Sequence, residues 1–226
     1  MRMGEVSTAI VRILAFYGAE LAILFGAAGR WDLPMFWACL AVQVVPSLVL
    51  IPILHRHSPG LMEERMRPGA GNQDRIGIPV QVICTLAALL VAGLDAGRFH
   101  WSGRFPFALQ VAGLVGFAAG YAFVGWSMWA NRFFSSVVRI QADREQTVVS
   151  TGPYRFVRHP GYTGGIVFSL CTGLALGSWW SLVPMAVVVA NVIRRTALED
   201  AMLHRELGGY AEYARTVRFR LVPGLW

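Results

Sequence analysis

The sequence has no lysine, and acidic and basic side chains together make up only 15% of its 226 residues. So little charge cannot coat a water-soluble domain of this size. The 55% hydrophobic content and the mean hydropathy of +0.50 point instead to a chain solvated by lipid. Cysteine is scarce as well. Cys39, Cys84 and Cys171 all fall inside apolar runs, no two at a metal-ligand spacing, and read as small buried residues. Zinc, haem and iron–sulfur signatures are missing, as are a phosphate-binding loop and a dinucleotide fingerprint. The period-2 alternation of barrel strands is missing too. Every backbone amide in lipid must then be bonded within its own segment, which leaves an all-α, polytopic transmembrane helical bundle.

What is present is a set of long apolar runs. Ala9 to Gly29, Pro34 to Leu54, Ile76 to Leu94 and Phe105 to Ala130 each come close to the roughly 20 residues that cross a bilayer. A fifth apolar region, Gly161 to Ile193, is too long for one crossing. Its centre, LGSWWSLVP at residues 176–184, offers a polar turn, so the spacing predicts a helical hairpin and five to six membrane segments in all. Arg12 and Glu20 interrupt the first run, which predicts an uncleaved first helix, not a secretory signal.

The arginines are distributed unevenly. Arg2 and Arg12, the 55–75 loop, the 132–158 stretch and everything from Arg194 onward fall on one side of these runs, while Arg30, Arg98 and Arg104 fall on the other. The excess of positive charge on the inner side places both termini in the cytosol. The net charge of +7 has the same origin. Arginines that flank membrane segments imply anionic lipid head groups as neighbours and no nucleic acid. Arginine- and alanine-rich, lysine-free usage points to a bacterial inner membrane. Glu20 is the one acid well inside a helix, and an intramembrane acid is either functional or paired with a neighbouring helix. Gly113, Gly116 and Gly120 form a small face suited to close helix packing, within one chain or between two, so the oligomeric state stays open.

Two polar regions remain. In TGPYRFVRHPGYTGG, residues 151–165, the Thr-Gly-Pro turn and Pro160 set His159 at the mouth of a membrane helix, beside free amides and the positive end of the helix dipole. The second region, residues 194–226, opens with Arg194 and Arg195. It carries a helical apolar stripe (Ala197, Leu198, Met202, Leu203, Leu207) that ends at Gly208 and Gly209. Arg195 and Glu199, at i and i+4, share a face. The hairpin returns the chain to the membrane face it left and so brings the two regions together.

GPYRFVRHPGYTG, followed by RTALED, LGGYAEYARTV and LVPGL, resembles the isoprenylcysteine carboxyl methyltransferases and the related phospholipid N-methyltransferases. The resemblance is specific over residues 151–226 and extends weakly to HSPGLMEERMRPGAGNQDR, residues 57–75. It implies an integral membrane enzyme that uses S-adenosylmethionine at the cytosolic side. Residues 131–226 would be the catalytic region and 1–130 the N-terminal membrane helices. Tyr154, Val157, Arg158, His159, Pro160, Tyr162, Gly164, Glu199, Tyr210 and Tyr213 would line the cofactor pocket, with Arg195 and Glu199 as catalytic residues and no metal. Asp200 stands where the family usually has a second glutamate, and VRFRLVP replaces its commoner Val-Pro-Arg form. In this reading Arg158 and His159 hold the donor's carboxylate, Glu199 takes its ribose hydroxyls or ammonium, and Tyr162 lies against the sulfonium. Arg195 would orient an anionic acceptor, and Glu199 would serve as base for a thiol or amine. The expected acceptor is a lipid or other amphiphile with a carboxylate, thiol or amine. The rivals are an NADPH-dependent membrane reductase of the steroid 5-alpha-reductase type, which shares an Arg-His-Pro-x-Tyr motif, and a non-catalytic lipid-binding protein.

Overall fold

A computed structural model of the protein describes residues 3–226, leaving aside the side chains of residues 3–6 and of Ala9. Arg2, counted above with the cytosolic arginines, lies outside the described residues. The described chain is helical, without a strand. In order it forms α1 (Met3–Ala28), α2 (Pro34–His57), α3 (Pro59–Met66), α4 (Gly77–Leu94), α5 (Phe107–Ala130), α6 (Pro160–Ala175), α7 (Leu182–Glu206) and α8 (Tyr210–Thr216). Among the described residues four segments are long and apolar enough to cross a membrane: Ile10–Ala28, Pro34–His57, Gly77–Phe99 and Phe107–Ala130. The protein is an integral membrane protein. Its outer surface fits that solvent, with Val45, Ile83, Val115 and Val183 pointing outward. Phe25, Phe36, Leu89, Phe117 and Leu176 pack inside.

The expected hairpin is α6 and α7, joined by a turn at residues 176–181 in which Gly177 takes φ +72. That turn is pinned to the α4–α5 connection. Asp95, fully buried, accepts hydrogen bonds from the Ser102 amide (2.8 Å), the Ser102 hydroxyl (2.5 Å) and the Ser178 hydroxyl (2.6 Å). The same anchoring draws Asp95–Phe99 into a wide helical turn beyond the predicted end of the run. The charged helix read separately from the hairpin is the continuation of its second arm, because no glycine or proline breaks the stretch between Ile193 and Glu206. α6 has 16 residues, about 24 Å of helix. The apolar part of α7 ends at Arg194, so each arm is shorter than the four long spans.

The glycine face of α5 packs against α6 of the same chain. A Cβ on Gly113 would lie 2.6 Å from the Ala175 nitrogen, and one on Gly120 2.6 Å from the Phe168 nitrogen. Since the obstacle is backbone, it cannot step aside. Gly120→Leu should therefore prevent the α5–α6 contact and abolish recovery of monodisperse protein from detergent. Size-exclusion profiles like those of wild type would contradict this packing. At the end of the bundle that holds the hairpin turn, Trp31, Trp101, Trp179 and Trp180 are exposed, as in an interfacial aromatic belt. The other end carries the two polar regions.

Candidate active site

Local sequence sets the frame. Gly152 takes φ +57, and Gly152–Arg155 forms a short 3-10 turn. The chain then runs extended into Pro160, which starts α6 because its missing N–H is not needed there. The extended residues pair with the C-terminal tail: the Arg158 amide donates to the Phe219 carbonyl and the His159 amide to the Arg220 carbonyl, both at 2.9 Å.

Adjacent acids on α7 then divide the work. Asp200 points inward, 1% exposed, and joins four elements. It accepts from Arg158 Nε and Nη2 (2.8 and 3.2 Å), Tyr210 Oη (2.9 Å) and Arg220 Nε (2.8 Å), and lies 3.1 Å from His159 Nε2. Burial alone would raise its carboxyl pKa, but the hydrogen bonds from His159, Arg158 and Arg220 hold it well below the usual carboxylate range. Burial and the Asp200 charge push the Tyr210 hydroxyl up, which keeps it a donor. Glu199, about 100° around the helix, turns toward open space. Its Oε2 accepts from Tyr162 Oη at 2.6 Å, and its Oε1 lies 3.9 Å from His159 Nδ1.

Beside Glu199 opens a cavity of about 560 Å³. Tyr154, Arg158, His159, Tyr162, Arg195, Glu199, Tyr210 and Tyr213 all line it. Three other expected residues do not. Val157 is buried away from it, Pro160 is occupied in starting α6, and Gly164 faces α5, where its Cβ position lies 2.7 Å from the Gly120 carbonyl oxygen. Gly164 thus serves the helix contact. Arg158 reaches the cavity wall with its guanidinium anchored to Asp200 and to the Val217 and Arg218 carbonyls (3.0 and 2.7 Å), which leaves at most one N–H for a ligand.

The sequence reading missed the partners of Arg195. Asp74, 2% exposed in the α3–α4 loop, lies 3.5 Å from Arg195 Nε and accepts from Arg194 Nη2 at 2.7 Å. Arg195 Nη2 donates to the Ser136 carbonyl at 2.9 Å. The only signal for Asp74 was its place in the GNQDR stretch. Also missed were the buried bidentate pair of Arg139 with Glu64 (2.9 and 2.6 Å), which fixes the 131–150 stretch over the cavity, and Arg65. Arg65 lines the cavity with its guanidinium over the Phe134 ring and has no carboxylate partner among the described residues.

The cavity continues into the membrane layer. α1 and α4 touch at the end away from the site, where a Cβ on Gly93 would lie 2.5 Å from the Leu24 carbonyl oxygen. Toward the site they diverge, and Phe16, Ile78 and Val82 line the space between them while remaining partly exposed on the outer surface. The cavity thus has a polar lobe under α7 and α8 and an apolar lobe that opens sideways.

Fold and site together define a polytopic α-helical membrane protein whose C-terminal third builds the polar lobe of a cavity at one end of the bundle. Residues 109–209 match the model of the phospholipid methyltransferase family. The protein-S-isoprenylcysteine O-methyltransferase A of Arabidopsis thaliana is 34% identical over 90 residues, covering 39% of this chain and 46% of that protein. A probable protein-S-isoprenylcysteine O-methyltransferase of Oryza sativa subsp. indica is 32% identical over 90 residues, 39% and 47% of the two chains. The protein-S-isoprenylcysteine O-methyltransferase of Schizosaccharomyces pombe is 30% identical over 90 residues, 39% and 38%. The match spans less than half the length of each relative.

Proposed function

We propose that the protein transfers a methyl group from S-adenosylmethionine to an amphiphilic acceptor. The reaction would take place at the cytosolic face of a bacterial inner membrane, with both termini on that side. Residues 131–226 act as the catalytic region, and the N-terminal helices supply the acceptor wall. One observation carries this reading: a single cavity joins a polar lobe built by His159, Tyr162, Arg195 and Glu199 to an apolar lobe open toward lipid. A charged cofactor and a lipid can meet only in such a space.

The residues present fit the cofactor. The volume suits a small-molecule site, Tyr154 and Tyr213 offer ring faces, and Glu199 offers a carboxylate for ribose hydroxyls or an ammonium. When bound, S-adenosylmethionine supplies a methyl group already activated on a sulfonium. The chain's own work is alignment and the exclusion of water. Tyr162 fixes the Glu199 carboxylate through a 2.6 Å hydrogen bond. Glu199 Oε1 can then take the proton of a thiol or amine acceptor, and Arg195, braced by Asp74 and Ser136, can orient an anionic one. Val192, Met202 and Leu203 make the apolar wall around them. The relatives' names speak for a carboxylate on an isoprenylated cysteine. For this chain the reading extends to an oxygen, sulfur or nitrogen nucleophile on an amphiphile that enters between α1 and α4.

Calorimetric titration with S-adenosylhomocysteine and with NADPH tests the reading. S-adenosylhomocysteine should bind in about the micromolar range, and His159→Ala should weaken it about tenfold by removing a charge-coupled contact. Glu199→Gln, which leaves the Asp200 network alone, should weaken it as well. Binding of NADPH alone would turn the assignment to a reductase, and silence toward both to a lipid-binding scaffold.

A further inference from the structure

Glu20 belongs to none of the chemistry above, yet it is placed as though it had some. It lies mid-way along the apolar part of α1 and is 3% exposed, and it lines the deep end of the apolar lobe with Gln43 and Thr85. One carboxyl oxygen accepts from Gln43 Nε2 at 3.2 Å. The other accepts no hydrogen bond among the described residues. One turn toward the site, the Tyr17, Ser47 and Tyr121 hydroxyls bond to one another at 2.5 to 3.1 Å, so that cluster is satisfied internally and leaves Glu20 its open valence.

A carboxyl group in the hydrocarbon layer with an unused oxygen costs free energy, and a plain alkyl or prenyl tail laid against it would repay none of that cost. A ligand group that donates an O–H or N–H would. We infer that Glu20 and Gln43 form a tail-recognition subsite, selecting an acceptor that carries a hydroxyl or amino group well down its apolar chain. The inference rests on the reading of this cavity as the acceptor site and deepens it. The cavity follows α4 from Ile78 to Leu86, about 12 Å of helix. The recognised group would therefore sit about that far from the polar lobe. A hydroxyl suits the site in either protonation state of Glu20, because it both donates and accepts.

The test uses the full chain in lipid nanodiscs, titrated with decanoate and with ω-hydroxydecanoate, in the presence and absence of S-adenosylhomocysteine. Partition into an apolar pocket alone would favour decanoate, so preference for the hydroxylated acid is diagnostic. Wild type should bind ω-hydroxydecanoate about tenfold more tightly, the upper end of what one hydrogen bond contributes. Glu20→Leu should reverse the order. Glu20→Gln, which keeps the shape and is the safer variant for folding, should reduce the preference to about threefold. Equal affinities in wild type, a ratio unmoved by either substitution, or no binding of the hydroxylated acid would overturn the subsite. Failure of S-adenosylhomocysteine itself to bind would count against the methyltransferase reading separately, since the ratio of the two acids is measured without it.

Discussion

Asp200→Ala should be the most destabilising single substitution in the C-terminal third, costing about 3–5 kcal/mol, because it strands the buried Arg158 guanidinium, which has no other carboxylate partner among the described residues. The Arg158 side chain is 7% exposed and its Nε and one Nη bond Asp200. Tyr210 and Arg220 lose their acceptor in the same stroke. Against a total stability of about 5–15 kcal/mol, such a loss would leave the region around α8 and the tail open. Asp200→Asn keeps the shape and one of the two acceptor oxygens and should fall between. Thermal unfolding of the purified variants in detergent is the measurement, and an Asp200→Ala protein that melts with wild type would show that the hub does not hold these elements together.

Arg195→Ala should lower turnover by about a hundred- to a thousandfold while changing the dissociation constant of S-adenosylhomocysteine by less than about threefold. The residue is 4% exposed, faces the cavity and is braced from behind by Asp74 and the Ser136 carbonyl. That brace makes its position part of the site. Arg195→Lys should therefore rescue little, since a single ammonium cannot keep contact with both supports and still present a planar fork. Asp74→Asn should lower kcat in the same direction but less. Turnover unchanged in Arg195→Ala would remove this residue from the catalytic list. Comparable loss of cofactor binding would move it into the cofactor site.

The helical membrane class was legible because long apolar runs without alternation admit no other solution. The hairpin was legible because LGSWWSLVP interrupts a run too long to cross once. The meeting of His159 and Tyr162 with Glu199 followed from topology, since two polar stretches flank one hairpin. What escaped was long-range pairing among many arginines: nothing in the sequence says that Arg195 takes Asp74 or that Arg139 takes Glu64, more than seventy residues away in each case. Gly164 misled for a related reason. In a motif rich in glycine, one that admits a ligand and one that admits a helix look alike, and only the neighbour, here Gly120, distinguishes them.

The backbone pairing of Arg158 and His159 with Phe219 and Arg220 carries a consequence for biosynthesis. The chain is made from its N-terminus, and the bundle through α5 can enter the membrane before residue 219 has been added. Until then His159 has no amide partner and Asp200 lacks one of its arginines. The apolar lobe, walled by α1, α4 and α5, therefore exists earlier than the polar lobe, and a half-made chain holds an apolar pocket without its polar end.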